Sequence, residues 1–189
     1  MSVAVFAGFR FSIGPSRSLQ AGRPLRRHSV FALPAIAIPR HNKEKVMKVP
    51  GLRSDYEKVG GIVFFGRMLD KIRLQAAGKL PSGYNTGMAD WSHFDSRCTR
   101  FLRVDYELLV KRVLQGGTDE EILEWCFQHG RQPSLEEIEI WNDFLTKRGW
   151  RDGGSAELAE VKRQRGFANR DDIQTWFEFH QADEESDGS

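Results

Sequence analysis

Beyond Asp55 apolar residues recur at helical spacing along most of the chain, and most runs are bracketed by residues that start or stop helices. From Ile62 to about Ala77, the residues Ile62, Phe64, Phe65, Met68, Leu69, Ile72 and Ala76 fall on one arc, wide enough for a buried face. Gly60-Gly61 opens this stretch and Gly78 closes it, both read as helix punctuation. Asp105 caps a helix carrying Tyr106, Leu109, Val110, Val113 and Leu114, which Gly116-Gly117 stops. Thr118 with Glu121, and Ser134 with Glu137, are capping-box pairs; Gly130 and Gly149 end the helices they begin. In the second of these, Leu135, Ile138, Trp141, Phe144 and Leu145 oppose Glu136, Glu139, Asp143, Thr146 and Lys147. Ser155 starts a short helix ending near Gly166, and Asn169 with Asp172 starts the last, with Ile173, Trp176, Phe177 and His180 on one face. Residues 78–103 read as a loop, broken by Pro81, Gly83, Asn85 and Gly87 and anchored by Trp91 and Phe94. No stretch shows the alternation of a hairpin. The pattern predicts an all-α fold, a compact single-domain bundle of about six short helices.

The first 46 residues are made differently. No period persists there, and Gly14-Pro15, Pro24, Pro34 and Pro39 interrupt every apolar run. They hold eight Lys and Arg against Glu44 alone, a charge of +7; the remaining 20 basic and 25 acidic residues leave the rest at −5. The composition suits a targeting segment, an over-extended start ahead of Met47, or a plain tail. On each reading residues 1–46 form a disordered basic extension, 47–185 form the helical domain, and 186–189 a disordered tail. The mild overall basicity therefore says little about nucleic acid. No run of about 18 apolar residues occurs, which excludes an apolar spanning helix, and two cysteines make no disulfide framework.

Several constellations carry candidate chemistry. Arg67, Asp70 and Arg73 stand at successive i,i+3 spacings, either a solvated ion-pair ladder or an anion site whose arginines Asp70 orients, with Arg97 and Arg100 added if the following loop folds back. His93, Cys98, Cys126 and His129 are metal-ligand types, but Cys126 lies between Trp125 and Phe127 like a buried hydrophobe, and His129 suits a helix end. Cys98, flanked by Arg97 and Arg100, is a candidate nucleophile, because positive neighbours lower a thiol pKa; a structural cysteine is the plainer reading. Residues 118–148 sound like a helix-turn-helix, yet Glu136, Glu137, Glu139 and Asp143 would repel phosphates, so duplex binding is not expected. Asp119-Glu120-Glu121 and Asp171-Asp172 suit first helical turns. Trp150-Arg151-Asp152, past a helix end, reads as a core plug or an interaction hot spot, and Ile140, off its helix's apolar arc, points to a second contact.

The stretches RMLDKIRLQAAGKLPSGY (67–84), RCTRFLRVDYELLVKRV (97–113), the GGTDEE…LTKRGWRD segment (116–152) and NRDDIQTWFEFHQADE (169–184) resemble a family of small bacterial proteins catalogued as domain of unknown function 5069. The resemblance covers about Asp55 to Glu185. The chain departs from it at Arg103, where glycine is expected. The resemblance implies a bacterial cytoplasmic protein beginning at Met47 and brings no activity with it. The function expected is a soluble binding or protein-interaction module without catalytic activity, cofactor or membrane attachment, its partner a protein or a second copy. The alternative is a small enzyme or anion-binding protein using Arg67, Asp70, Arg73, Arg97 and Cys98.

Overall fold

The computed structural model describes residues 49–185; the basic extension and the four-residue tail lie outside the described residues. Within them the order is β1 (Lys58–Val59), β2 (Ile62–Val63), α1 (Phe65–Ala76), α2 (Phe94–Leu102), α3 (Tyr106–Leu114), α4 (Asp119–His129), α5 (Leu135–Lys147), α6 (Ser155–Arg165) and α7 (Trp176–Glu185). The fold is helical, with one two-stranded sheet. No helix among the described residues is long and apolar enough to cross a membrane.

Local capping chemistry works as the sequence implies. Asp105 accepts the Leu108 N–H, and both capping boxes close, Thr118 with Glu121 and Ser134 with Glu137. Three elements differ from the pattern. Gly60-Gly61 is a hairpin turn and not helix punctuation: both residues have positive φ, the backbone that a two-residue hairpin loop demands, and Val59 pairs with Ile62 across it. The first helix accordingly begins at Phe65, after Phe64 in the left-handed region at φ 68. The last helix begins at Trp176 and not at Asn169. Thr175 and Glu178 start it, Thr175 Oγ1 accepting the Glu178 N–H while the Glu178 carboxylate accepts the N–H groups of Gln174 and Thr175.

The third departure is α2, within the stretch read as loop. Its buried face is Asp95, Ser96, Cys98, Thr99 and Leu102, more polar than apolar; the apolar row Phe94, Cys98, Phe101 and Leu102 recurs at helical spacing but is short and follows a stretch punctuated by glycine and proline. Polar contacts hold it. Lys71 Nζ lies 2.5 Å from Asp95 Oδ1, the Gly87 N–H donates to Asp95 Oδ2 at 2.9 Å, and the Ser96 hydroxyl donates to the carbonyls of Gly87 and Asp90. Each buried polar group is thereby satisfied, as burial requires.

Two apolar clusters result. The larger gathers Ile62, Phe64, Phe65, Met68, Leu69, Leu102, Leu109, Ile122, Trp141, Leu145 and Phe177. The smaller packs Leu158 and Val161 of α6 against Ile173 and Phe179, with Phe167 and Trp176. Helix α7 bridges them, sending Phe177 into one and Phe179 into the other. Asn142 of α5 ties the sheet to the bundle, its Oδ1 accepting the Val63 N–H at 3.0 Å and its Nδ2 donating to the Gly61 carbonyl at 2.8 Å.

The end of α2 explains the chain's departure at Arg103. That residue caps the helix in the left-handed conformation (φ 55, ψ 38), where a side chain is strained and glycine is not. Gly130 lies against the same helix end: a Cβ there would stand 2.2 Å from the Leu102 carbonyl oxygen. The Arg131 N–H donates to that oxygen, and its Nε donates to the Phe101 carbonyl. Arg103→Gly is therefore expected to stabilise the protein by about 0.5–1 kcal/mol, relief of strain exceeding the entropy of an added glycine. Gly130→Ala is expected to cost about 1–3 kcal/mol through overpacking. Urea unfolding midpoints of the two variants check both signs.

Candidate functional site

Where the two apolar clusters meet, the bundle leaves a cavity of about 140 Å³. Its wall comes from distant parts of the chain: Phe64, Arg67 and Lys71, the loop around Tyr84 and His93, Arg148 at the end of α5, α6, and one side of α7. Arg67 and Lys71, one helical turn apart on α1, are both buried. Buried cations must be paired, and these are. Arg67 Nη1 donates to the Arg53 carbonyl at 2.7 Å, its Nη2 meets Glu184, and its Nε lies 3.4 Å from Asp55 Oδ1. Lys71 donates to Asp95 and to the Asn85 carbonyl.

Behind this wall lies Asp55, itself buried. Its Oδ1 stands 3.2 Å from His180 Nδ1, so one buried carboxylate serves both Arg67 and His180. Burial pushes the Asp55 carboxyl up, but the charges of His180 and Arg67 outweigh it and hold the group below the ordinary carboxylate range. Burial and the neighbouring Glu184 push the Tyr84 phenol up, and its hydroxyl donates to Glu184 at 3.3 Å. Aromatic rings complete the lining. Phe94 and Trp176 approach the His180 ring at 5.9 and 6.1 Å between centroids. Phe64, strained in the left-handed region, stacks its ring edge on Phe94 at 5.3 Å.

Residues 49–186 match the family described as Domain of unknown function (DUF5069). The chain belongs to this family. No curated protein matches the chain.

In this family member the candidate residues divide among several places. Arg67 enters the cavity; Asp70 and Arg73 do not. Asp70 takes a bidentate contact from Arg53 (2.6 and 2.8 Å), and Asp119 is shared by Arg53 and Arg73 at 2.7 Å each, a closed network on the other edge of α1. The i,i+3 row thus splits between two sites instead of forming one anion cradle. Asp119, read from the sequence as a first-turn acid, is a structural anchor.

Cys98 is fully buried in the larger core, where burial and then Asp95 push its thiol well above the usual range. Burial likewise pushes Cys126 up to about 12. Neither thiol is an accessible nucleophile in this arrangement. The four metal-ligand types stand apart: His93 in the cavity wall, Cys98 and Cys126 in the core, and His129 stacked on Trp125 with Nδ1 2.9 Å from the Trp125 carbonyl. Arg97 and Arg100 turn away from Cys98. Arg97 Nε donates to the Ser92 carbonyl and Arg100 Nη2 to that of Trp91. Trp150 is no core plug: it stands 47% exposed with Arg151 5.2 Å from its ring, and Ile140 is 61% exposed.

Asp55, Tyr84 and Glu184 had no sequence signal as site residues, and Lys71 had only its place beside Arg67 and Asp70 on the rim of α1. His180 had one, a titratable ring on the apolar side of an amphipathic helix. Asp55→Asn, which leaves Arg67 and His180 facing a neutral amide, is expected to cost about 3–5 kcal/mol at neutral pH. Because the folded-state pKa of Asp55 lies below its unfolded value, its contribution is present above about pH 4 and fades as pH falls through the folded pKa. Urea unfolding at a series of pH values should therefore show wild type and D55N converging in acid.

Proposed function

We propose that this domain binds a small organic ligand, about one six-membered ring with a short substituent, in the cavity between α1, α6 and α7. The observation that carries the reading is the wall itself. Aromatic faces (Phe94, Trp176, Phe179) line a cavity of about 140 Å³, close to the 150 Å³ or so that accepts benzene in an engineered apolar core. The buried ions in that wall are already paired with one another, so they shape and polarise the site without needing the ligand to neutralise them. Binding, and not turnover, is the function such a wall serves. The setting we propose is the bacterial cytoplasm, which suits two buried free thiols. For a protein partner or a second copy of the chain, α5 and the turn after it offer the exposed apolar residues Leu135, Ile140 and Trp150.

A small enzyme is the second reading, favoured by the Asp55–His180 contact. A buried carboxylate on Nδ1 is how a general-base histidine is oriented. Turnover of p-nitrophenyl esters that disappears in His180→Gln would select it.

The binding reading is tested by saturation-transfer NMR on the full chain with benzyl alcohol, benzoate and nicotinamide. At least one fragment is expected to receive saturation, and to lose it in Glu157→Trp, which places a large ring at the exposed edge of the lining. Equal transfer in wild type and Glu157→Trp, or none from any fragment, removes the cavity from consideration.

A further inference from the structure

Next to the cavity, three guanidinium groups converge. Arg148 lies in the cavity wall with Ser92 and His93. Arg97 stands one hydrogen bond behind that wall, its Nε donating to the Ser92 carbonyl at 2.7 Å. Both arginines lie on the ring of Phe144, at 5.5 Å for Arg97 and 5.9 Å for Arg148. Arg97 also lies 5.2 Å from the centroid of Trp91, a ring that is 71% exposed. Arg100 joins them from the next turn of α2, its Nη2 donating to the Trp91 carbonyl at 2.6 Å.

The group is not neutralised as the arginines of the interior are. Arg53 and Arg67 each meet two carboxylates. Among the described residues, Arg97 and Arg100 donate their hydrogen bonds to main-chain carbonyls, which fix a guanidinium without cancelling its charge. The carboxylate bonded within the cluster is Asp152, 2.6 Å from Arg148 and already accepting the Gly149 and Gly154 N–H groups. Asp90 is engaged with the Ser92 N–H. Burial, and then the like charges of Arg148 and Arg100, push the Arg97 guanidinium down from its ordinary value, an effect that a bound anion would reverse.

We propose that Arg97, Arg100 and Arg148 form an oxyanion site, and that the ligand of the adjoining cavity carries a carboxylate or phosphate ester that reaches it. The aromatic faces of Trp91 and Phe144 hold two of the guanidinium planes in place, and the remaining N–H groups present the forked donors that carboxylate and phosphate oxygens accept. This assignment rests on the cavity being a binding site, but the arginine cluster is separately testable.

The experiment is a two-part NMR titration of the full chain. Inorganic phosphate alone is expected to shift the Nε–H signals of Arg97 and Arg148, and to leave those of Arg53 unmoved; no shift overturns the anion site whatever the cavity does. Phenyl phosphate, benzoate and benzyl alcohol are then compared. The two anions are expected to bind at least about tenfold more tightly than the alcohol, a factor set by a charge-assisted contact. That advantage should vanish in Arg97→Gln and in the surface variant Arg100→Gln, with benzyl alcohol binding unchanged. Phenyl phosphate above benzoate assigns a phosphate ester, and the reverse assigns a carboxylate. Equal binding of all three fragments, or an advantage that survives both variants, overturns the proposal. Failure of all three to bind while phosphate still shifts the arginines removes the cavity and its link to the anion site.

Discussion

Lys71 reaches from α1 to Asp95 at the start of α2, and the whole segment between the two helices is arranged around that contact. The other oxygen of Asp95 accepts the Gly87 N–H, the lysine also holds the Asn85 carbonyl, and Ser96 collects the carbonyls of Gly87 and Asp90. A glycine- and proline-punctuated stretch that would otherwise wander is thus pinned at several points of its backbone. Pinning is what delivers Tyr84, Ser92 and His93 to the cavity and holds Trp91 beside Arg97. A buried ion pair adds little net stability when compared with an apolar replacement, but breaking one is costly. Here the pair's consequence is positional, because the same carboxylate that neutralises Lys71 also receives the loop.

The cavity follows from how the chain closes. Helices α6 and α7 build their own small apolar cluster, and α7 alone inserts a large side chain, Phe177, into the main core. Two packed bodies joined along one helix meet imperfectly, and the residues at the seam are charged or aromatic where a single core would have used leucine. Phe64 carries part of the strain, held in left-handed backbone because its ring is enclosed by Phe94 and Phe177.

Helix α1 divides the electrostatics of the domain. One edge sends Arg67 and Lys71 toward the seam. The other sends Asp70 and Arg73 to Arg53 and Asp119, a network that ties the segment before the hairpin to the start of α4. Residues three apart on a helix are neighbours in sequence patterns, yet a rotation of about 60° between them suffices to assign them to different sites once other elements pack on both edges. Arg53 spans the division, its side chain on Asp70 and its carbonyl on Arg67.

What the sequence determined by itself is the local chemistry. The caps at Asp105, Thr118 and Ser134 and the stop at Gly166 need only atoms within a few residues, so their pattern is complete in the sequence, and the helical fold class follows from it. The departure at Arg103 was visible only through the family resemblance, and the structure supplies its reason, a left-handed helix end that favours glycine. Elements whose stability comes from outside were illegible. Helix α2 buries Asp95, Ser96 and Thr99 against the loop before it, contacts that its short apolar row of Phe94, Cys98, Phe101 and Leu102 does not announce, and the Gly60-Gly61 turn is held by α4 and α5 packing on a hairpin of two residues per strand. The site was the least legible part. His180 and Asp55 meet across 125 residues of chain, and Arg97 joins Arg148 from a different helix. A carboxylate, a guanidinium and an imidazole are ordinary surface groups until tertiary packing removes their water and leaves them only one another.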